Sequence, residues 1–177
     1  MSNQAAPNPL RWGESRSKTV TWHDPLVTAA QGASLSGLDY VNAIIEGALP
    51  PPPIAQLFGM RLISAEPGRA EFHCDPDESA YNPLGIVHGG LVCTLLDSVV
   101  GCAAHTSLPK GVGYTSIELK VNYLRQVHSD SGPLKAVGVL TKPGRRVAFA
   151  DGTVEDRHGK LVATASGSLL VFELGDS

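Results

Sequence analysis

Charge is scarce in this sequence: charged residues make up 18% of 177, with a formal net charge of −3. A surface of that kind offers no basic stripe for a polyanion, so nucleic acid is not an expected partner. Aromatic residues are only 6%, and no ring-lined pocket is legible from them. Three cysteines, Cys74, Cys93 and Cys102, are odd in number and lack C-x-x-C spacing, which speaks against a disulfide framework or a zinc site. Cys93 and Cys102 read as small buried residues. His23, His73, His128 and His158 stand at no metal-ligand spacing, so neither metal nor cofactor is expected. No apolar run reaches membrane-spanning length, and the polar, Pro-containing first twenty residues do not resemble a signal peptide. The expected location is the cytoplasm, with no membrane partner. No G-x-S-x-G occurs, which excludes a serine hydrolase of the nucleophile-elbow type.

What is present is an ordinary globular composition, 42% hydrophobic, enough for one domain and an appendage. Residues 1–50 read as an N-terminal extension. It is expected to be extended or partly disordered up to about Ser34, with Trp12 and Trp22 as its large apolar anchors. A short helix follows near 37–48, carrying Leu38, Val41, Ile44 and Ile45 at helical spacing behind a Ser36 N-cap. The prolines from Pro50 to Pro53 stop it, and residues 51–177 form the main domain.

That domain reads as strand, strand, helix, then four strands. FGMRLISAE and RAEFHCD flank the Pro67-Gly68 turn. In GYTSIELKVNYLRQV, Ile117, Leu119, Val121 and Tyr123 alternate with Ser116, Glu118, Lys120 and Asn122, and so are expected on opposite faces. The remaining strands are separated by Pro143-Gly144 and His158-Gly159. Connections this short require antiparallel pairing. The predicted class is therefore α+β, one antiparallel sheet wrapped around one long helix.

The helix begins in YNPLGIVHGGLVCTLLDSVVGCAAH, from Tyr81 to His105. Gly85, Gly89 and Gly90 permit close backbone approach, and free amides at a helix start bind an anion or a developing oxyanion. They also suit plain tight packing. Gly89, Cys93, Asp97 and Gly101 recur every four residues, giving one narrow face with a carboxylate at its centre. An unpaired Asp buried in a helix is costly, which points to function, although a backbone amide or an Arg could also satisfy it. Gly89 and Asp97 lie about 12 Å apart along the helix at 1.5 Å per residue. If both act on one carbonyl, they belong to two chains related by a twofold axis.

These segments, with GRRVAFADGTVEDRHGKLVATASGS, resemble the hotdog-fold acyl-CoA thioesterases, specifically the phenylacetic acid degradation type, over roughly Ile54 to Leu174. The resemblance rests on Asn82, on His88-Gly89-Gly90 and on Asp97. It implies a homodimer with shared active sites, with dimers pairing into tetramers, and hydrolysis of an acyl-CoA to free acid and CoA. By position, the Gly89 amide polarises the thioester carbonyl, while Asp97 of the partner chain attacks it or activates water. Asn82 and Ser116 position the water or the thioester. His88 belongs to the motif with its role open, since a His at a helix start also bonds nearby backbone. Gly90 falls with the substrate-binding residues. Lys142, Arg145 and Arg146, around the Pro143-Gly144 turn, are candidates for the CoA phosphates, against the alternative that hairpin tips are charged merely for solvation. Gln126 departs from the Pro common there.

Two rival readings share the fold. A hydratase or dehydratase would pair a catalytic His with an acid in another motif context, whereas here the acid follows His88-Gly-Gly by several residues. A non-catalytic acyl-CoA-binding module is the other.

Overall fold

The computed structural model describes residues 12–175. Residues 1–11 of the expected extension lie outside them, as do 176–177. Six strands form one antiparallel sheet: β1 (Met60–Glu66), β2 (Arg69–Cys74), β3 (Val112–Tyr123), β4 (Leu134–Lys142), β5 (Val147–Glu155) and β6 (Leu161–Glu173). Their order is β1-β2-β4-β5-β6-β3, so β1 and β3 are the edges. Across the concave face lies the helix α4 (Gly89–His105), burying Leu91, Leu95, Leu96, Val99 and Val100. This is the predicted antiparallel sheet wrapped around one long helix.

What lets the helix lie so close is a row of glycines on the sheet. Gly138 and Gly152 are register partners on β4 and β5, and Gly167 follows on β6. A Cβ on Gly138 would fall 2.2 Å from the Val99 carbonyl oxygen, so strand backbone meets helix backbone there. At Gly152 and Gly167 the added atom would meet Val100 at 3.0 and 2.9 Å. The valines thus occupy the volume the glycines leave empty.

The amino-terminal part corrects three expectations. Where extended chain was predicted, Pro25–Gly32 form a helix, α1, because Asp24 caps it by accepting from the Leu26 N–H and Pro25 supplies a ready first-turn φ. Its Gly32 abuts the Tyr40 ring of α2 (Gly37–Ile45), the helix whose Ser36 cap was legible. The tryptophans are not anchors: Trp12 is 74% and Trp22 61% exposed. Charge holds this segment instead, through Arg16 to Glu78 and Lys18 to Asp77. α2 ends at Ile45, short of the expected 48 and ahead of the Pro run, where Gly47 takes φ +75°; the prolines instead start α3 (Pro53–Phe58), with Pro53 in its first turn.

A further correction concerns β3. Between Ser116 and Glu118 its register against β6 shifts by a bulge, and Ile117 is left unpaired and 55% exposed. Strict alternation fails there. Ser116 joins Tyr114, Leu119, Val121 and Tyr123 on the helix side instead of opposing them.

The glycine row yields a test. Gly138→Ala forces the sheet off the helix backbone, which no side-chain rotation relieves, and should cost about 3 kcal/mol in urea unfolding. A loss below about 0.5 kcal/mol would mean that the contact is not tight.

Candidate active site

The narrow face of α4 rests on β3, and each position on it has a partner there. The Gly89 carbonyl accepts from the Tyr123 hydroxyl at 3.0 Å, and a Cβ at Gly89 would touch that ring. Cys93 also contacts the Tyr123 hydroxyl, and burial together with Cys93 raises the phenol's pKa, keeping it a donor. Asp97 accepts from the Ser116 hydroxyl at 2.7 Å through Oδ1. Gly101 makes room for the Tyr114 hydroxyl, 2.6 Å from where its Cβ would be. The bulge in β3 brings Ser116 to Asp97.

Asp97 is therefore not the buried, unpaired carboxylate that its setting suggested. In the single chain it is exposed, because α4 turns this face toward an edge strand rather than the middle of the sheet. Nearby Cys102 is no nucleophile: burial first, and the Asp97 charge second, push its thiol up to about 12. Cys93 and Cys102 are half-buried rather than buried.

At the helix start, His88 is the N-cap, and its Nδ1 accepts the Gly90 N–H at 2.8 Å. An accepting Nδ1 leaves the ring proton of the neutral imidazole on Nε2. The Gly90 amide is thus engaged inside the chain, which removes it as a substrate donor. The Gly89 N–H is different. As the first residue of the helix it has no intrahelical acceptor, and among the described residues none other meets it.

Asn82 shapes the preceding loop. Its Oδ1 accepts from the Leu84 and Ile86 amides at 2.9 and 3.4 Å, its carbonyl accepts the Gly85 N–H, and Gly85 takes φ +75°. Asn82, Gly89, Tyr123 and Arg125 border one cleft of about 400 Å³. The structure so brings together Asn82, His88 and Gly89 at one end of α4, and Asp97 with Ser116 farther along it. Lys142, Arg145 and Arg146 lie apart from both groups. Arg145 borders a cleft of about 490 Å³ with Ser107, Leu108 and Phe172, past the carboxyl end of α4. The Lys142 ammonium sits 6.0 Å from the Phe149 ring centre. Sequence reasoning missed Tyr123 and Tyr114, although glycines at both ends of the narrow face were the signal that something bulky sits opposite.

Removing the cap should be measurable by itself. His88→Ala should lower unfolding free energy by about 1 kcal/mol while His88→Asn retains most of it. Equal urea midpoints for wild type and the Ala variant would show that the ring does not cap.

Comparison with known proteins agrees with the fold. Residues 84–163, from the loop before α4 to the start of β6, match the Thioesterase superfamily. A Saccharolobus solfataricus protein bearing an esterase name is 29% identical over 134 residues, covering 76% of this chain and 94% of its own. Human acyl-coenzyme A thioesterase 13 is 28% identical over 103 residues, 58% of this chain and 72% of its own. The crystal structure of a thioesterase family protein from Silicibacter pomeroyi superposes with a TM-score of 0.67 at 26% identity, covering 75% of this chain and 98% of that one. With its sheet wrapped around α4 the chain has the hotdog fold, and the stretch from the site loop into β6 is similar to the Thioesterase superfamily.

Proposed function

We propose that the protein hydrolyses acyl-CoA thioesters to free acid and CoA, as a homodimer whose two active sites each draw on both chains. The observation that carries this reading is the pairing of an unengaged Gly89 N–H with an open Asp97 carboxylate, about two helical turns away on the same face. One carbonyl cannot touch both in one chain. Two antiparallel α4 helices across a twofold axis would put the Gly89 of one protomer opposite the Asp97 of its partner. The edge strand β3, twelve residues long with Ile117 and Tyr123 more than half exposed, is the surface such a pairing would cover. Pairing of two dimers, and the phenylacetic acid degradation type, rest on the motif resemblance.

In this mechanism the Gly89 N–H of one chain holds the thioester oxygen as negative charge builds on it, an interaction typically worth about 3 kcal/mol. Asp97 of the other takes a proton from water, whose oxygen bonds to the carbonyl carbon, or bonds to that carbon itself, giving an anhydride that water then opens. The C–S bond breaks as the tetrahedral centre collapses, and the CoA thiolate leaves with a proton. Either route needs a carboxylate oxygen facing substrate. Ser116 engages Oδ1, and among the described residues none engages Oδ2. Asn82 holds the loop beside the oxyanion donor. Lys142, Arg145 and Arg146 receive the CoA phosphates, and His88 serves as the cap.

Complementation tests the shared site. Asp97→Ala and Gly89→Pro chains should each be inactive as homodimers, since the first lacks the carboxylate and the second the amide. Mixed and allowed to exchange, they should recover about a quarter of wild-type CoA release, because half the dimers are mixed and each has one intact site. No recovery, with folded heterodimers demonstrated, would refute it.

The cations allow a separate test. The phosphates lie far from the bond that breaks, so an Arg145→Ala/Arg146→Ala variant should raise KM about tenfold and leave kcat within about twofold. An unchanged KM would return this turn to a solvated hairpin tip.

A further inference from the structure

The oxyanion donor is only as good as the orientation of its peptide, the His88–Gly89 unit, whose carbonyl accepts the Leu91 N–H at 3.0 Å and whose neighbours on either side are held as well. The His88 N–H donates to the Ala80 carbonyl at 2.8 Å, the Gly90 N–H to His88 Nδ1, and Tyr123 to the Gly89 carbonyl. Of these, the Ala80 contact leads out of the site. Ala80 closes a single 3₁₀ turn, Glu78–Ala80, capped by Asp77, whose Oδ1 accepts from the Ser79 amide at 2.8 Å. The Asp77 Oδ2 accepts from Lys18 Nζ at 2.6 Å, and the same ammonium donates to the Leu57 carbonyl of α3 at 3.3 Å. Next to it, Arg16 pairs with Glu78. The amino-terminal segment is therefore clamped to the turn that carries Ala80.

We propose that Lys18 is a positioning residue for the Gly89 amide, acting through Asp77, the 3₁₀ turn and the Ala80–His88 hydrogen bond; the inference rests on the thioesterase reading above. An isolated exposed ion pair would do little. This one differs because the ammonium bridges two elements, α3 and the turn, and the carboxylate it holds also caps that turn. The Lys18 ammonium, and after it the Ser79 hydroxyl, hold the Asp77 carboxyl down at about 2. A lowered carboxylate pKa means that the clamp is complete above the ordinary Asp range and is lost only as pH falls toward 2. It is intact at any pH where the enzyme would be assayed. Lys18 stands well outside the residues that match the superfamily, so the superfamily match does not itself cover it. The two tryptophans of the segment are exposed and do not do this.

The test compares full-length Lys18→Met, Lys18→Arg, Asp77→Asn and the Lys18→Met/Asp77→Asn double variant, by steady-state CoA release and by amide hydrogen exchange. Lys18→Met should lower kcat about fivefold with KM within twofold, since displacing a catalytic dipole by a fraction of an ångström costs rate rather than binding. Exchange should quicken at 79–90 and stay unchanged in β4–β6. Lys18→Arg should restore kcat to within about twofold of wild type, and the double variant should be no worse than either single one. A kcat fall without faster exchange at 79–90, faster exchange without a kcat fall, loosening spread over the whole sheet, or failure of Arg to restore the rate would each overturn the proposal. Wild-type protein inactive on all CoA esters would refute the thioesterase reading instead, and exchange alone would then decide whether Lys18 holds this loop.

Discussion

The site depends on a backbone-to-backbone contact: the carbonyl of Val99 in α4 against Gly138 in β4. Side-chain layers normally keep a helix and a sheet about 10 Å apart. Without a side chain at Gly138, and with Val100 settled over Gly152 and Gly167, α4 sinks into the sheet at mid-length. Once that depth is set, the helix has little freedom to roll. Its broad apolar face is committed to the sheet's centre, and the narrow face, Gly89 to Gly101, must meet whatever lies to the side. That neighbour is β3, an edge strand.

An edge position is what the proposed shared site builds on. Tyr123 and Tyr114 fill the notches left by Gly89 and Gly101, so the helix is gripped at two points along β3. Between them the bulge at Ser116–Glu118 turns a hydroxyl toward Asp97. A regular strand would have presented Ile117 there. The carboxylate is held from below by Ser116 and open from the side, where the sheet ends.

Much of this was legible in the sequence because it is local. The turns at Pro67-Gly68, Pro143-Gly144 and His158-Gly159, the Ser36 cap and the apolar run of α4 each depend on neighbours a few residues away. The notches at Gly89 and Gly101 were visible as a four-residue rhythm, but not what fills them. What could not be read was the bulge, because a single unpaired residue leaves the alternating pattern of SIELKVNY intact while reversing which face Ser116 joins. The exposure of Asp97 was hidden for a related reason. Periodicity shows that a helix face is narrow, not whether the sheet continues beside it. The tryptophans misled because size was taken for anchorage, when the segment carrying them is held by two cations. The helix at Pro25–Gly32 was marked by Asp24-Pro25, a cap followed by a first-turn proline, within a stretch whose polarity suggested no structure.

The two halves of the site are built on opposite principles. At Asp97 a carboxylate is left uncovered, and the shared site proposed above would close over it with a second surface. At Gly89 the donor is uncharged and its value lies in being fixed, because a preorganised dipole acts without reorganising as charge develops. That difference decides where the chain spends its hydrogen bonds. A single bond from Ser116 orients the carboxylate. Around the Gly89 peptide the His88 amide, the His88 ring, the Gly90 amide and the Tyr123 hydroxyl are all engaged, leaving one N–H unengaged. A histidine suits the cap because its ring reaches the second amide while the first still points outward. The glycine after it must be small enough to lie against Tyr123. The sequence His88-Gly89-Gly90 is thus a steric and hydrogen-bonding solution for exposing one amide, with no proton transfer required of its histidine.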